Sequence, residues 1–134
     1  MKSLFSWIEF PNLGDDRGSL VAIELLKFIP FTVKRIYYIF GTSESVTRGL
    51  HAHVELEQVA ICISGKCRMI FDDGELRQSI WMDSPSKALV VPKRMWHEMD
   101  SFSSDCVLLL LASEQYDEKD YIRSYDNFLS FVKT

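Results

Sequence analysis

The chain has 134 residues, 47% apolar and 13% aromatic, with 15 basic and 19 acidic side chains for a formal net charge of -4. That length suits one compact domain with a real core, so residues 1–134 are expected to fold as a single domain. The charge balance offers no basic field for nucleic acid, the longest apolar run, Cys106 to Ala112, is too short to cross a bilayer, and the N-terminus lacks a signal-peptide pattern. A soluble cytoplasmic protein with no nucleic-acid or membrane partner is expected. Three cysteines, Cys62, Cys67 and Cys106, lie in apolar contexts without a C-x-x-C pair, which favours buried reduced thiols over disulfides or a zinc site.

In chain order, Ser3 to Phe10 alternates loosely and reads as a strand, ended by the breaker-rich turn Pro11 to Gly18. Leu20 to Phe28 is a second apolar segment, and Pro30 puts a kink or a sheet edge directly after it. Val33 to Phe40 is a third strand, after Leu20 to Phe28 as the second, with Arg35 and Tyr37 on one face and Ile36, Tyr38 and Phe40 on the other, the pattern of one polar-lined and one packed side. Lys66 to Phe71 and Leu76 to Met82 flank Asp72-Asp73-Gly74 and read as a β-hairpin. Ala88 to Val91 and Cys106 to Ala112 read as further strands, the latter fully buried. From Asp117 the period changes: Tyr121, Tyr125, Phe128 and Val132 recur at helical spacing, so a C-terminal amphipathic helix is expected on the outside of a sheet. Short strands with close Gly, Pro and Asp turns and one terminal helix point to an all-β, double-sheet jelly roll.

The stretch R-G-L-H-A-H-V-E-L-E-Q-V-A-I-C-I-S-G, Arg48 to Gly65, carries the chemistry. His51 and His53 are one residue apart, so alternation along a strand sends both rings to the same side. The spacing resembles the first cupin motif, G-x5-H-x-H-x(3,4)-E-x6-G, with Ser45 for the first glycine and Gln58 where the acidic residue belongs. In P-K-R-M-W-H, Pro92 and His97 match the second motif, G-x5-P-x-G-x2-H, with Ser86 and Arg94 replacing its glycines. All three histidines of the chain therefore stand at cupin ligand positions. If Gln58 shares their cavity, Ala60 and Cys62 also face inward. Val59, Ile61 and Ile63 then face outward and need cover, for which a second subunit is one source.

Three imidazoles suit divalent iron, zinc or manganese, and a carboxylate usually completes such a set. Gln58 brings no negative charge, Glu57 fits the shorter spacing from His53 but leaves one residue too many before Gly65, and Glu55 shares the histidines' parity but sits only two residues beyond His53, so no bound metal is expected. Two close imidazoles remain useful without metal, since histidine titrates near neutrality and can take and return a proton. A lone histidine such as His97 is more often a hydrogen-bonded structural residue, whereas two buried rings side by side carry a desolvation cost that packing alone does not explain. Arg35 and Tyr37 share a face and could share the cavity. Arg48 is three residues from His51 and out of phase with it, so it reaches an anionic ligand there only if the backbone is irregular at Gly49.

The run just quoted, together with D-D-R-G-S-L, I-P-F-T-V-K-R-I-Y-Y-I, W-H-E-M-x-x-F-S-S-D-C and the tail L-A-S-x2-Y-D-E-x-D-Y-I-R-x-Y-x-x-F, resembles the dTDP-4-keto-6-deoxyglucose 3,4-ketoisomerases. The resemblance covers nearly the whole chain. It implies a metal-free, dimeric cupin isomerase that moves the ketone of dTDP-4-keto-6-deoxyglucose from C4 to C3. The product would feed an aminotransferase that makes 3-amino sugars for surface polysaccharides such as lipopolysaccharide O-antigen, or for antibiotics. It implies His51 as the base at carbon, with His53 and Tyr37 relaying protons or holding the oxyanion. Arg35 and Arg48 would bind the pyrophosphate, with Arg17 and Arg68 in reserve, and Gln58 and His97 would line the site. Trp96 or Tyr38 would stack on thymine or line the sugar pocket. Arg17-Gly18 resembles the version found in enzymes giving the galacto product. A metal-dependent cupin oxygenase, a dTDP-sugar epimerase and a non-catalytic sugar-binding cupin are the alternatives.

Overall fold

The computed structural model describes residues 2–134. Its strands are β1 (Trp7–Glu9), β2 (Arg35–Phe40), β3 (Arg48–His53), β4 (Gln58–Ser64), β5 (Cys67–Asp72), β6 (Arg77–Met82), β7 (Lys87–Val91), β8 (Trp96–Asp100), β9 (Val107–Ala112) and β10 (Tyr121–Ile122), with helices α1 (Leu25–Phe28) and α2 (Tyr125–Val132). They form two five-stranded sheets ordered β1-β7-β4-β9-β2 and β10-β3-β8-β5-β6, every pairing antiparallel. This is the double-sheet jelly roll of a cupin with a short C-terminal helix.

The inward side chains of both sheets make the main core. Ala60, Cys62, Leu108 and Leu110 from one sheet meet Cys67, Met69, Phe71 and Met99 from the other. The alternation expected for β4 holds, with Gln58, Ala60 and Cys62 turned inward. The cover over its outer face is not what the sequence suggested. Val59 and Ile61 are fully buried, packed with Phe10, Ile29 and Leu111 beneath Val21, Ile23, Phe28 and Phe31. The chain's own N-terminal segment covers Val59 and Ile61, each large side chain contributing about 1.5–3 kcal/mol by leaving water, while Ile63 stays 45% exposed. That explains why Leu20 to Phe28 is no strand: its apolar residues serve as a lid, and only Leu25–Phe28 winds into a single helical turn. The expected first strand likewise shrinks to Trp7–Glu9.

The side of β2 read as packed is open in this chain. Ile36, Tyr38 and Phe40 are 58%, 61% and 67% exposed on an edge strand. At the other end, α2 starts late. Ser124 caps it by accepting a bond from the Asn127 amide at 3.2 Å, and Phe128 packs on Ala52 and Trp96 outside the second sheet. Tyr121, expected on this helix, pairs instead with His53 as part of β10, because the segment from Asp120 to Ile122 extends the edge beside β3.

Candidate active site

The two sheets diverge at one edge, where β2 faces β3 and β10. A cavity of about 570 Å³ lies there, lined by Arg35, Tyr37, Arg48, His51, His97 and Tyr121 among others. An irregularity in β3 builds it. Gly49 pairs with Glu98 and His51 with His97, which leaves Leu50 as an extra residue between two regular pairs. Gly49 and Leu50 both take positive φ, 82° and 59°. A β-bulge of this kind restores phase between residues on either side of it, so Arg48 and His51 both line the cavity. Glycine is required at the first position for a second reason: a Cβ on Gly49 would lie 2.9 Å from the His97 carbonyl oxygen.

The three imidazoles form one cluster, with ring centroids 4.8 Å apart for His51 and His53, 4.6 Å for His51 and His97, and 5.9 Å for His53 and His97. Tyr121 packs against two of them, tilted against His51 at 4.8 Å and edge-on to His53 at 4.4 Å. Backbone carbonyls orient two rings: His51 Nδ1 is 2.9 Å from the Gly49 oxygen and His97 Nδ1 is 3.2 Å from the Met95 oxygen. A carbonyl only accepts, so Nδ1 carries the proton in each ring and the neutral ring keeps its lone pair on Nε2. His53 Nδ1 lies 3.3 Å from Asp120 Oδ2, close enough for electrostatic contact but out of line for a hydrogen bond. Asp120 is itself held by the amides of Glu55 and Leu56, at 2.8 and 3.1 Å.

Burial dominates the titration of these rings. Desolvation, with the neighbouring rings adding repulsion, drives His97 down to about 3 and His53 to about 4 despite Asp120, and desolvation also lowers His51. All three are therefore neutral bases near pH 7. Across the cavity, burial pushes the Tyr37 phenol up to about 12, against the pull of Arg35, so it stays protonated. Its hydroxyl donates to Gln58 Oε1. Gln58 Nε2 and Arg35 Nε are buried without a hydrogen-bond partner among the described residues, which leaves two donors available at this wall. The Arg35 guanidinium stacks on Tyr37 at 5.0 Å.

Of the residues singled out from sequence, His51, His53, His97, Tyr37, Gln58, Arg35 and Arg48 come together here. Four others do not. Arg68 points out of the opposite sheet face into a paired interaction with Asp100, at 2.9 and 2.7 Å. Trp96 has the parity opposite to His97, so it lies beneath α2 and donates to Glu98 at 2.9 Å. Tyr38 has the parity opposite to Tyr37 and lies on the exposed outer face beside Phe40. Arg17 is held by Asp15 at 2.6 Å in an exposed turn that borders a separate hollow. Tyr121, Asp120 and Arg123 were missed. Their only signal was the D-Y-I-R run itself, and the helical spacing of Tyr121 with Tyr125 and Phe128 masked it.

The trio could hold a cation in principle, since a set of its nitrogens lies within 4.8 Å of one another. Among the described residues, no carboxylate belongs to this set of ligands to offset a divalent charge. The Glu55 side chain is 72% exposed near Lys93, Gln58 supplies a neutral amide whose oxygen accepts from Tyr37, and Asp120 is engaged by two amides.

The sequence model of the family described as "FdtA: WxcM-like, C-terminal" matches residues 3–133. The chain belongs to this family. A relative from Aneurinibacillus thermoaerophilus, named TDP-4-oxo-6-deoxy-alpha-D-glucose-3,4-oxoisomerase, is 56% identical over 125 residues, covering 93% of this chain and 90% of the relative. Among solved structures, a 3,4-ketoisomerase from Helicobacter canadensis superposes with a TM-score of 0.94 at 46% identity, covering 99% of this chain and 100% of that one. The 3,4-ketoisomerase QdtA from Thermoanaerobacterium thermosaccharolyticum superposes with a TM-score of 0.95 at 39% identity, covering 99% and 96%. That structure is of a histidine-to-asparagine variant in complex with TDP-4-keto-6-deoxyglucose.

The neutral rings of this FdtA-family site set a pH dependence. Their folded pKa values lie below the unfolded value of about 6.5, so below that pH the unfolded chain binds protons that the folded chain refuses, and stability falls as pH drops. His53 and His97 should each contribute about 1.4 kcal/mol of loss per pH unit between roughly pH 6 and 5. Urea unfolding across this range should show the slope, and His97→Asn should make it shallower; an unchanged slope in that variant would contradict the assignment.

Proposed function

We propose that the chain is an isomerase that converts dTDP-4-keto-6-deoxyglucose to its 3-keto isomer by acid–base chemistry. The reading is carried by a neutral imidazole, His51, oriented by the Gly49 carbonyl and facing a cavity with a protonated phenol on its other wall. Moving the ketone requires removal of the C3 proton, an enediolate, and delivery of a proton to C4. His51 Nε2 is the base at carbon. Tyr37 and His53 pass protons between the two oxygens and hold the developing oxyanion, each such step being worth roughly 10²- to 10⁴-fold. Gln58 orients Tyr37, and the neutral His97 ring packs against His51. Arg35 and Arg48 at the mouth bind the pyrophosphate through bidentate guanidinium contacts. No step uses a metal or a redox cofactor.

The product is the galacto 3-keto sugar, on the resemblance carried by Arg17-Gly18, and an aminotransferase converts it to a 3-amino-3,6-dideoxyhexose. The enzyme works in the cytoplasm as a homodimer. Among the described residues, no helix is long and apolar enough to cross a membrane, and the three cysteines form no disulfide. The exposed row Ile36, Tyr38 and Phe40 on edge strand β2 is the surface for the second copy, since a contiguous apolar row of this size is costly to leave in water.

Incubation with dTDP-4-keto-6-deoxyglucose in D2O, followed by NMR, should show deuterium exchange at C3 with formation of the 3-keto sugar and none at C5. Chelator-treated protein should behave the same, and His51→Asn should lose at least about 10²-fold in rate while remaining folded. Exchange at C5 would make the enzyme an epimerase, binding without exchange would make it a sugar-binding cupin, and a metal requirement would overturn the acid–base reading. Phe40→Glu should shift the protein from dimer to monomer in sedimentation equilibrium; an unshifted mass would place the interface elsewhere.

A further inference from the structure

A second cluster lies at the other end of the interior. Gln58 and Cys62 share a face of β4 four residues apart, and Phe71, opposite His97, shares a face of β5 with Cys67 at the same interval. At about 3.3 Å per residue this puts the cysteines roughly 13 Å from the histidine end. Cys62, Cys67 and Cys106 are all buried and free, and their three sulfurs lie within 4.8 Å of one another. The Cys62 and Cys106 sulfurs are 3.9 Å apart.

That spacing differs from a disulfide, whose sulfurs are about 2.05 Å apart. It matches sulfurs that share a metal. With metal–sulfur bonds of about 2.3 Å, ligand sulfurs stand about 3.8 Å apart in tetrahedral and about 4.0 Å apart in trigonal geometry. Cysteine as a small apolar residue explains why the positions tolerate it, but not why three Sγ atoms converge within 4.8 Å of one another. The surroundings are sulfur-rich and apolar. Met82 is paired with Cys67 across β5 and β6, and Met69 and Met99 belong to the same cluster. Soft ligands in such a setting select soft ions over magnesium or calcium.

A surface cavity lies beside the cluster. Lys66 and residues 101–104 line a surface cavity of about 650 Å³ at this end. Cys67 follows Lys66, and the Cys106 amide donates to the Ser103 oxygen at 3.0 Å. The wall between cavity and sulfurs is therefore the β4–β5 turn and the loop before β9, joined by the Lys66 amide donating to Ser103 Oγ at 2.8 Å. That seam is tight: a Cβ on Gly65 would lie 2.3 Å from Ser103 Oγ and 2.8 Å from the Cys106 nitrogen.

We propose that Cys62, Cys67 and Cys106 form a three-thiolate site for one soft d10 metal ion such as Zn²⁺ or Cd²⁺, separate from the histidine cavity. Each ligating thiol releases its proton to solvent, and the ion joins the β4–β5 turn to the start of β9. Its role is structural: it fixes the closed end of the sandwich and takes no part in proton transfer at the other end.

The test is titration of the reduced protein with Cd²⁺, followed in the ultraviolet for the thiolate-to-cadmium charge-transfer band. Nitrogen-bound cadmium at the histidines gives no such band. The band should saturate at one equivalent, fall on addition of Zn²⁺, and be lost in Cys62→Ser/Cys106→Ser; the melting temperature of the unsubstituted protein should rise with the metal. Should the double variant fail to fold by circular dichroism, Cys106→Ala decides the same point by losing most of the band. No band in the unsubstituted protein, or an undiminished band in the folded variants, would overturn the site.

Discussion

Removing three imidazoles from water is the constraint on which the site depends. Desolvation strongly disfavours an imidazolium at His97 and His53 and also lowers His51, so the cluster exists as neutral bases or not at all. The fold accommodates this by giving the ring nitrogens defined partners. Carbonyls of Gly49 and Met95 accept hydrogen bonds from the Nδ1–H groups of His51 and His97, and Asp120 stands behind His53. The lone pairs are thereby left on the nitrogens that can meet a ligand. Tyr37 is held in the complementary state by the same physics, since burial of a phenol favours its protonated form.

The scaffold supports that arrangement through two local departures from regular sheet. The bulge at Gly49 and Leu50 turns Arg48 and His51 to the same side, which neither alternation nor a helix would do. The short strand β10 then brings Tyr121 and Asp120 against the histidines from a segment far away in sequence. The chain's own N-terminal segment covers the outer side of Val59 and Ile61, and the histidine cavity opens at the edge where β2 and β3 part.

Much of this was legible in the chain. Period-two alternation placed Arg35 with Tyr37, and Gln58 with Ala60 and Cys62, and the cupin spacings brought His97 to the other two histidines. The resemblance anticipated the FdtA family. The misses have physical causes. Trp96 and Tyr38 were read by chemical type, although each lies one residue from a cavity position and a one-residue step changes the face. Arg68 likewise alternates with the inward Cys67 and Met69. The N-terminal segment looked like a strand because a lid and a strand both need spaced apolar residues, and nothing local distinguishes them. Tyr121 fell on a helical period by coincidence with Tyr125 and Phe128, while the pairing that decides its place, with His53, is long-range.

The central claim is that His51 is uncharged at neutral pH, with its proton on Nδ1 and its lone pair on Nε2. Nitrogen-15 NMR of histidine-labelled protein at pH 7 reads this state directly. The account predicts one neutral-imidazole pattern for His51, with a protonated Nδ1 and an unprotonated Nε2 that shifts when a substrate analogue enters the cavity. An imidazolium pattern, or a proton on Nε2, would contradict it.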